Sequence, residues 1–131
     1  MSVQKIEHVG IMVQSLERSI TFYQDVIGLQ LLHILQPNDQ VRLAFLAFPG
    51  ASQTEIELVE KPNNGELPNE GKVHHVAFTV QDIESEHARL RELGISLIHD
   101  QIVTIPNGSK YFFFEGPDRE QLEFFEPAAQ V

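Results

Sequence analysis

Apolar and polar residues alternate along Lys5–Val13 (KIEHVGIMV) and again along Lys72–Val80 (KVHHVAFTV). A period of two predicts a strand, because successive side chains point to opposite faces. In the first stretch Ile6, His8, Gly10 and Met12 share one face, and Glu7, Val9, Ile11 and Val13 share the other. After each stretch the apolar spacing becomes helical. Ser15 is placed to cap a helix with Leu16, Ile20, Tyr23 and Ile27 on one side, ended by Gly28. Asp82 does the same for Ile83, His87, Leu90 and Leu93, ended by Gly94. Three further strands follow each helix. In the first half they are Leu29–Leu35, Val41–Phe48 and Thr54–Glu60, with turns at Gln36–Gln40 and Pro49-Gly50. In the second they are Ile95–Ile102, Lys110–Glu115 and Gln121–Glu126, with turns at Pro106-Asn107-Gly108 and Gly116-Pro117-Asp118.

The two halves are one pattern written twice, a sign of internal duplication. His8 and His75 lie 67 positions apart, and Gly28 and Gly94, like Glu57 and Glu123, lie 66 apart. The expected organisation is a single domain: module one over 1–61, a linker over 62–71 (PNNGELPNEG), module two over 72–127 and a tail over 128–131. The expected fold class is α+β. Two tandem βαβββ modules would form a curved eight-stranded mixed sheet, with helices on one face and a concave metal-binding cradle on the other.

Composition narrows the function classes. The 131 residues are 42% hydrophobic and 21% charged, a globular balance. A net charge of −10 argues against nucleic acid, which is bound through clustered Lys and Arg. No apolar run is long enough to span a bilayer and Met1–Lys5 opens no signal peptide, so the cytoplasm is the expected location. The absence of Cys excludes disulfides, thiolate nucleophiles and Cys-type zinc sites.

Strand parity then gathers the chemistry. His75 falls with Ala77 and Thr79, as His8 falls with Gly10 and Met12. Glu57 lies opposite in sense to Ile56 and Leu58, and Glu123 to Leu122 and Phe124. One His and one Glu per module thus face the cradle, a donor set suited to Zn, Ni, Co, Mn or Fe(II). Read singly, such a His is usually structural and such a Glu usually solvated. The repetition of both favours metal ligation. His33 and His99, repeat-related, are placed at a pocket mouth, His87 on a helix face, and His74 among packed or strand-edge residues. Glu7, Glu55, Glu60 and Glu126 are assigned to solvated positions. Arg18, Arg42, Lys72, Lys110 and Arg119 are the cations available for an anionic substrate tail, Lys110 first among them.

With IEHVGIMV and LERSITFYQDVIGL, then VHHVAFTV, then GPDREQLEFFEP, the chain resembles the vicinal oxygen chelate superfamily of glyoxalases, bleomycin resistance proteins and dioxygenases. The resemblance runs from Lys5 to Pro127 and is strongest to the glyoxalase I group. It implies a metal-dependent lyase (of the lactoylglutathione lyase kind) that isomerises the hemithioacetal of a 2-oxoaldehyde to a 2-hydroxyacyl thioester. His8, Glu57, His75 and Glu123 would hold one divalent ion, Ni, Zn, Co or Mn. A ligand carboxylate would move the proton, Glu123 in first place and Glu57, its repeat mate, in second. A homodimer is also implied, with the ion held within one chain or shared between two. Met12 and Lys61 stand where glutathione-using members carry a basic residue and an Asn, which argues against glutathione as the thiol. The resemblance extends to methylmalonyl-CoA epimerase, which would act on an anionic thioester, and to members that bind drugs without turnover.

Overall fold

The structure, a computed structural model, describes residues 6–51, 53–63, 65–67 and 73–128. The chain divides into two compact units, Met1–Leu67 and Pro68–Val131. Lys72, one of the candidate cations, lies outside the described residues.

In the first unit, β1 (Val9–Val13) leads into a helix, α1 (Leu16–Phe22), whose last turn widens to a π-turn over Tyr23–Ile27. Strands β2 (Gln30–Asn38), β3 (Val41–Ala47) and β4 (Ile56–Glu60) follow. They form a mixed sheet in the order β1-β4-β3-β2, with β1 parallel to β4 and the other pairs antiparallel. The second unit repeats this plan. β5 (Val76–Thr79), α2 (Ile83–Glu92), β6 (Val103–Thr104), β7 (Lys110–Glu115) and β8 (Gln121–Glu126) give the order β5-β8-β7-β6. Among the described residues, two four-stranded mixed sheets, eight strands in all, realise the α+β expectation.

Each helix covers one face of its own sheet, and parity decides what it covers. Under α1, Val13, Leu16, Ala44, Leu46, Ile56 and Leu58 are buried. Between α2 and its sheet, Ile83, Leu90, Phe112, Phe114, Leu122 and Phe124 are buried, and the Phe124 ring meets those of Phe112 and Phe114 edge to face. Both predicted caps form: the Ser15 and Asp82 side chains accept from the amides of Arg18 and Ser85. Gly28 and Gly94 end the helices at φ of 94° and 77°, where a side chain would be strained.

Several boundaries differ from the sequence pattern. The polar stretch at Gln36–Asn38 stays in β2 across a register shift between Leu35 and Asn38, because β2 is an edge strand and an edge tolerates Pro37 and bulges. Conversely, Ile95–Ile102 forms no continuous strand. One bridge joins Leu97 to Phe114, and both Ile98 and His99 donate to the Phe113 carbonyl before the short β6 begins. Leu93 is 55% exposed, since α2 ends before a further turn could carry it over the sheet.

Glu60 and Glu126 are not simply solvated. The Glu60 carboxylate accepts from the amide of Leu16 at 2.7 Å, and Glu126 accepts from the amide of Ile83 at 3.0 Å. Each thus satisfies an amide that the first helical turn leaves without a partner. A cation on the neighbouring strand completes each lock. Arg42 binds Glu60 at 2.8 Å and Glu17 at 2.6 Å, and Lys110 binds Glu84 at 2.8 Å. Lys110 is therefore committed on the helix side, not at a pocket mouth. Arg42, with Leu16 second, holds the Glu60 carboxyl below the usual carboxylate range. A depressed folded value contributes stability above the ordinary carboxylate pKa and loses it as pH falls through the folded one. Glu60→Gln is expected to cost about 1 kcal/mol at pH 7. The deficit should shrink in thermal melts taken progressively below about pH 4.

Candidate metal centre

The face of each sheet opposite its helix carries the predicted site residues. In the first unit, Gly10, Glu57, Phe45 and His33 form one cross-strand row. The small residue leaves room on one side of the carboxylate, and the Phe45 ring walls the other, with His33 stacked on it at 4.5 Å. The second unit repeats the row as Ala77, Glu123 and Phe113, with His99 beyond. Here His99 Nδ1 accepts from the Phe113 amide at 2.9 Å.

His8 and His75 reach these rows from just before their strands. His8 Nε2 lies 3.0 Å from Glu57 Oε2, and His75 Nε2 lies 3.1 Å from Glu123 Oε1. Each unit therefore holds a His–Glu pair built in the same way. Both imidazoles are about one-third exposed, whereas the carboxylates are more enclosed, Glu123 most of all. Burial pushes the Glu123 carboxyl above the usual range, and His75 and His99 pull it part of the way back. Among the described residues, no three His, Asp or Glu side chains gather closely enough to hold an ion by themselves.

Each spacing is that of a hydrogen-bonded imidazole–carboxylate pair and is also short enough for both groups to reach one divalent ion. Two ligands at about 2.1 Å from a common ion, at right angles, stand about 3.0 Å apart. That is the spacing of each imidazole nitrogen from its carboxylate oxygen. Imidazole and carboxylate together suit Zn, Ni, Co or Mn.

The second contacts of each His were not legible in the pattern. His8 Nδ1 lies 3.6 Å from Glu7 Oε1, and His75 Nδ1 lies 3.1 Å from His74 Nδ1. His74 is thus exposed beside His75 rather than packed with Val76 and Phe78, because β5 begins only after it. Gln121 closes the far side, its amide 3.4 Å from His74 Nε2. Parity did carry a signal for Gln121, which falls with Glu123. His87 is buried on the inner face of α2 and points Nε2 at the His99 carbonyl at 3.2 Å. Arg119, another of the candidate cations, lies 3.6 Å from Glu115. None of the described helices is long and apolar enough to cross a membrane.

Comparison with known proteins agrees with this architecture. The family model of the Glyoxalase/Bleomycin resistance protein/Dioxygenase superfamily matches residues 5–124. The uncharacterized protein YwbC of Bacillus subtilis is 44% identical over 124 residues, 94% of this chain and 98% of that protein. The lactoylglutathione lyase of Haemophilus influenzae is 32% identical over 124 residues, covering 93% and 92%. Among solved structures, the trypanothione-dependent glyoxalase I of Leishmania major superposes with a TM-score of 0.78 at 25% identity, over 95% of this chain and 87% of that one. A duplicated βαβββ unit with a His–Glu pair in each copy, matched by the family model over nearly its whole length, makes this chain a member of the glyoxalase/bleomycin resistance protein/dioxygenase superfamily.

Proposed function

We propose that the protein is a divalent-metal-dependent lyase of the glyoxalase I type, converting the hemithioacetal of a 2-oxoaldehyde and a thiol into a 2-hydroxyacyl thioester. His8, Glu57, His75 and Glu123 are the ligands of one ion, and the protein works as a homodimer in the cytoplasm. The observation that carries this reading is the repetition: two imidazole–carboxylate pairs of equal spacing, each beside a residue small enough to leave space. The 32% identity to a lactoylglutathione lyase supports the reaction class.

The ion would act as a Lewis acid on two adjacent substrate oxygens, lowering the cost of negative charge there. The chain supplies the proton transfer. The Glu123 carboxylate takes the proton from the carbon that bears sulfur and returns it to the neighbouring carbon, so the reaction is a net isomerisation. The Glu123 carboxylate is the more enclosed of the two, which limits water around the transferred proton. Glu57 is the same group in the more open half. Phe45 and Phe113 wall the two carboxylates and limit water.

Met12, 45% exposed on the His8 face of β1, offers no charge to a peptide-like thiol. That argues against glutathione as the thiol. The test is turnover of the nickel- or zinc-loaded protein on methylglyoxal with a panel of small thiols. Thioester formation with at least one of them is expected. Deuterium exchange next to a preformed acyl-CoA thioester, without any isomerisation of hemithioacetals, would replace this reading with an epimerase.

A further inference from the structure

We propose that His74, held by Gln121, is a positioning residue that sets the ring of His75 for metal binding. The inference rests on the metal-site reading above and concerns neighbours of the ligands.

Four side chains of the second unit form a closed chain that starts and ends on β8. Glu123 meets His75 Nε2 at 3.1 Å, His75 Nδ1 meets His74 Nδ1 at 3.1 Å, and His74 Nε2 meets the Gln121 amide at 3.4 Å. Gln121 and Glu123 are two residues apart on one strand, so both side chains leave the same face. The two rings stand edge to face at 89°, and His75 also rests against Phe113 at 4.8 Å. His75 is thus held at both nitrogens and on one ring face.

A coordinating imidazole must offer a bare nitrogen. With Nε2 of His75 turned to the ion, its hydrogen sits on Nδ1, which then needs an acceptor. His74 Nδ1 is that acceptor. His74 in turn carries its hydrogen on Nε2 and donates it to Gln121, whose side-chain amide supplies a carbonyl oxygen after a half-turn. A chain with an amide at its end serves either direction of hydrogen bonding at no cost in charge. Outer partners of this kind fix ring orientation and ligand basicity. The first unit places a carboxylate at the matching position, with Glu7 Oε1 3.6 Å from His8 Nδ1. At that distance Glu7 is too far to hold the ring by a hydrogen bond, so the positioning role is confined to the second unit.

The alternative is that His74 is a surface residue met by chance. Two variants separate these possibilities. His74→Phe keeps a ring but removes both nitrogens, and His74→Asn keeps a polar atom at the Nδ1 position. Zinc affinity is measured by competition with a chromophoric chelator, alongside melting of the metal-free protein. His74→Phe is expected to weaken zinc binding about 10- to 100-fold with an unchanged metal-free melt. His74→Asn should stay within about threefold of the unmodified protein. Equal affinity of the Phe variant and the unmodified protein would overturn the inference, as would equal loss in both variants. A protein that binds no zinc before any substitution would instead overturn the metal-site reading itself. Turnover does not enter this measurement, so an error in the substrate leaves the result intact.

Discussion

Glu123→Gln is expected to lower turnover by on the order of 10³-fold while leaving the fold intact. Proton transfer by a positioned side chain is worth about 10²–10⁴-fold, and the amide keeps the shape of the carboxyl but cannot take a proton. Glu123 is 8% exposed and its carboxyl is pushed above the usual range by burial. A carboxyl with a raised folded pKa makes its ionised form a cost to the folded state at pH values above that pKa. Removing the charge relieves that cost. The metal-free Gln variant should therefore melt at or above the temperature of the unmodified protein at pH 7. Loss of activity with retained stability distinguishes a catalytic carboxylate from a structural one. Full turnover in the Gln variant would take the base role away from Glu123.

His8→Ala and His75→Ala are each expected to weaken metal binding by about 10²–10³-fold. Structural four-ligand sites are worth about 10–16 kcal/mol, so one ligand carries roughly a quarter of that. Both side chains are about one-third exposed and neither fills the core. Circular dichroism of the metal-free variants should therefore match that of the unmodified protein. Equal losses from the two substitutions are the signature of a duplicated site. A loss confined to one of them would mean that the pairs are not equivalent.

Much of this architecture is visible in residue order because duplication writes each signal twice. Period-two alternation separated His8 from Val9 and His75 from Val76, and the packing of Val13, Leu58, Leu122 and Phe124 under the helices follows it. The strands Lys110–Glu115 and Gln121–Glu126 emerge with their expected limits. Features set by tertiary pairing were less legible. Whether Pro37 breaks a strand depends on the strand being at an edge, which only the sheet order decides. Glu60 and Glu126 share the parity of Ile56 and Leu58 and of Leu122 and Phe124, and as charged residues at strand ends they read as solvated. Yet a helix start 43 or 44 residues away supplies each with an amide. Lys110 was drawn away from any substrate role by Glu84, on the other side of the sheet. His74 shares parity with Val76, but it stands two residues before the ladder begins, where alternation no longer fixes the side of a side chain. For the centre, the strand register places Glu57 and Glu123 and alternation groups Gln121 with Glu123, whereas the contacts of Glu7 and His74 depend on side-chain reach that the pattern does not encode.

The most direct test of the account is a calorimetric titration of the metal-free protein with zinc, read for stoichiometry. One ion per chain, with tight binding lost in both His8→Ala and His75→Ala, is the result expected if the two pairs serve a single centre. Two ions per chain, with each variant still holding one, would mean that the pairs act separately and would contradict it.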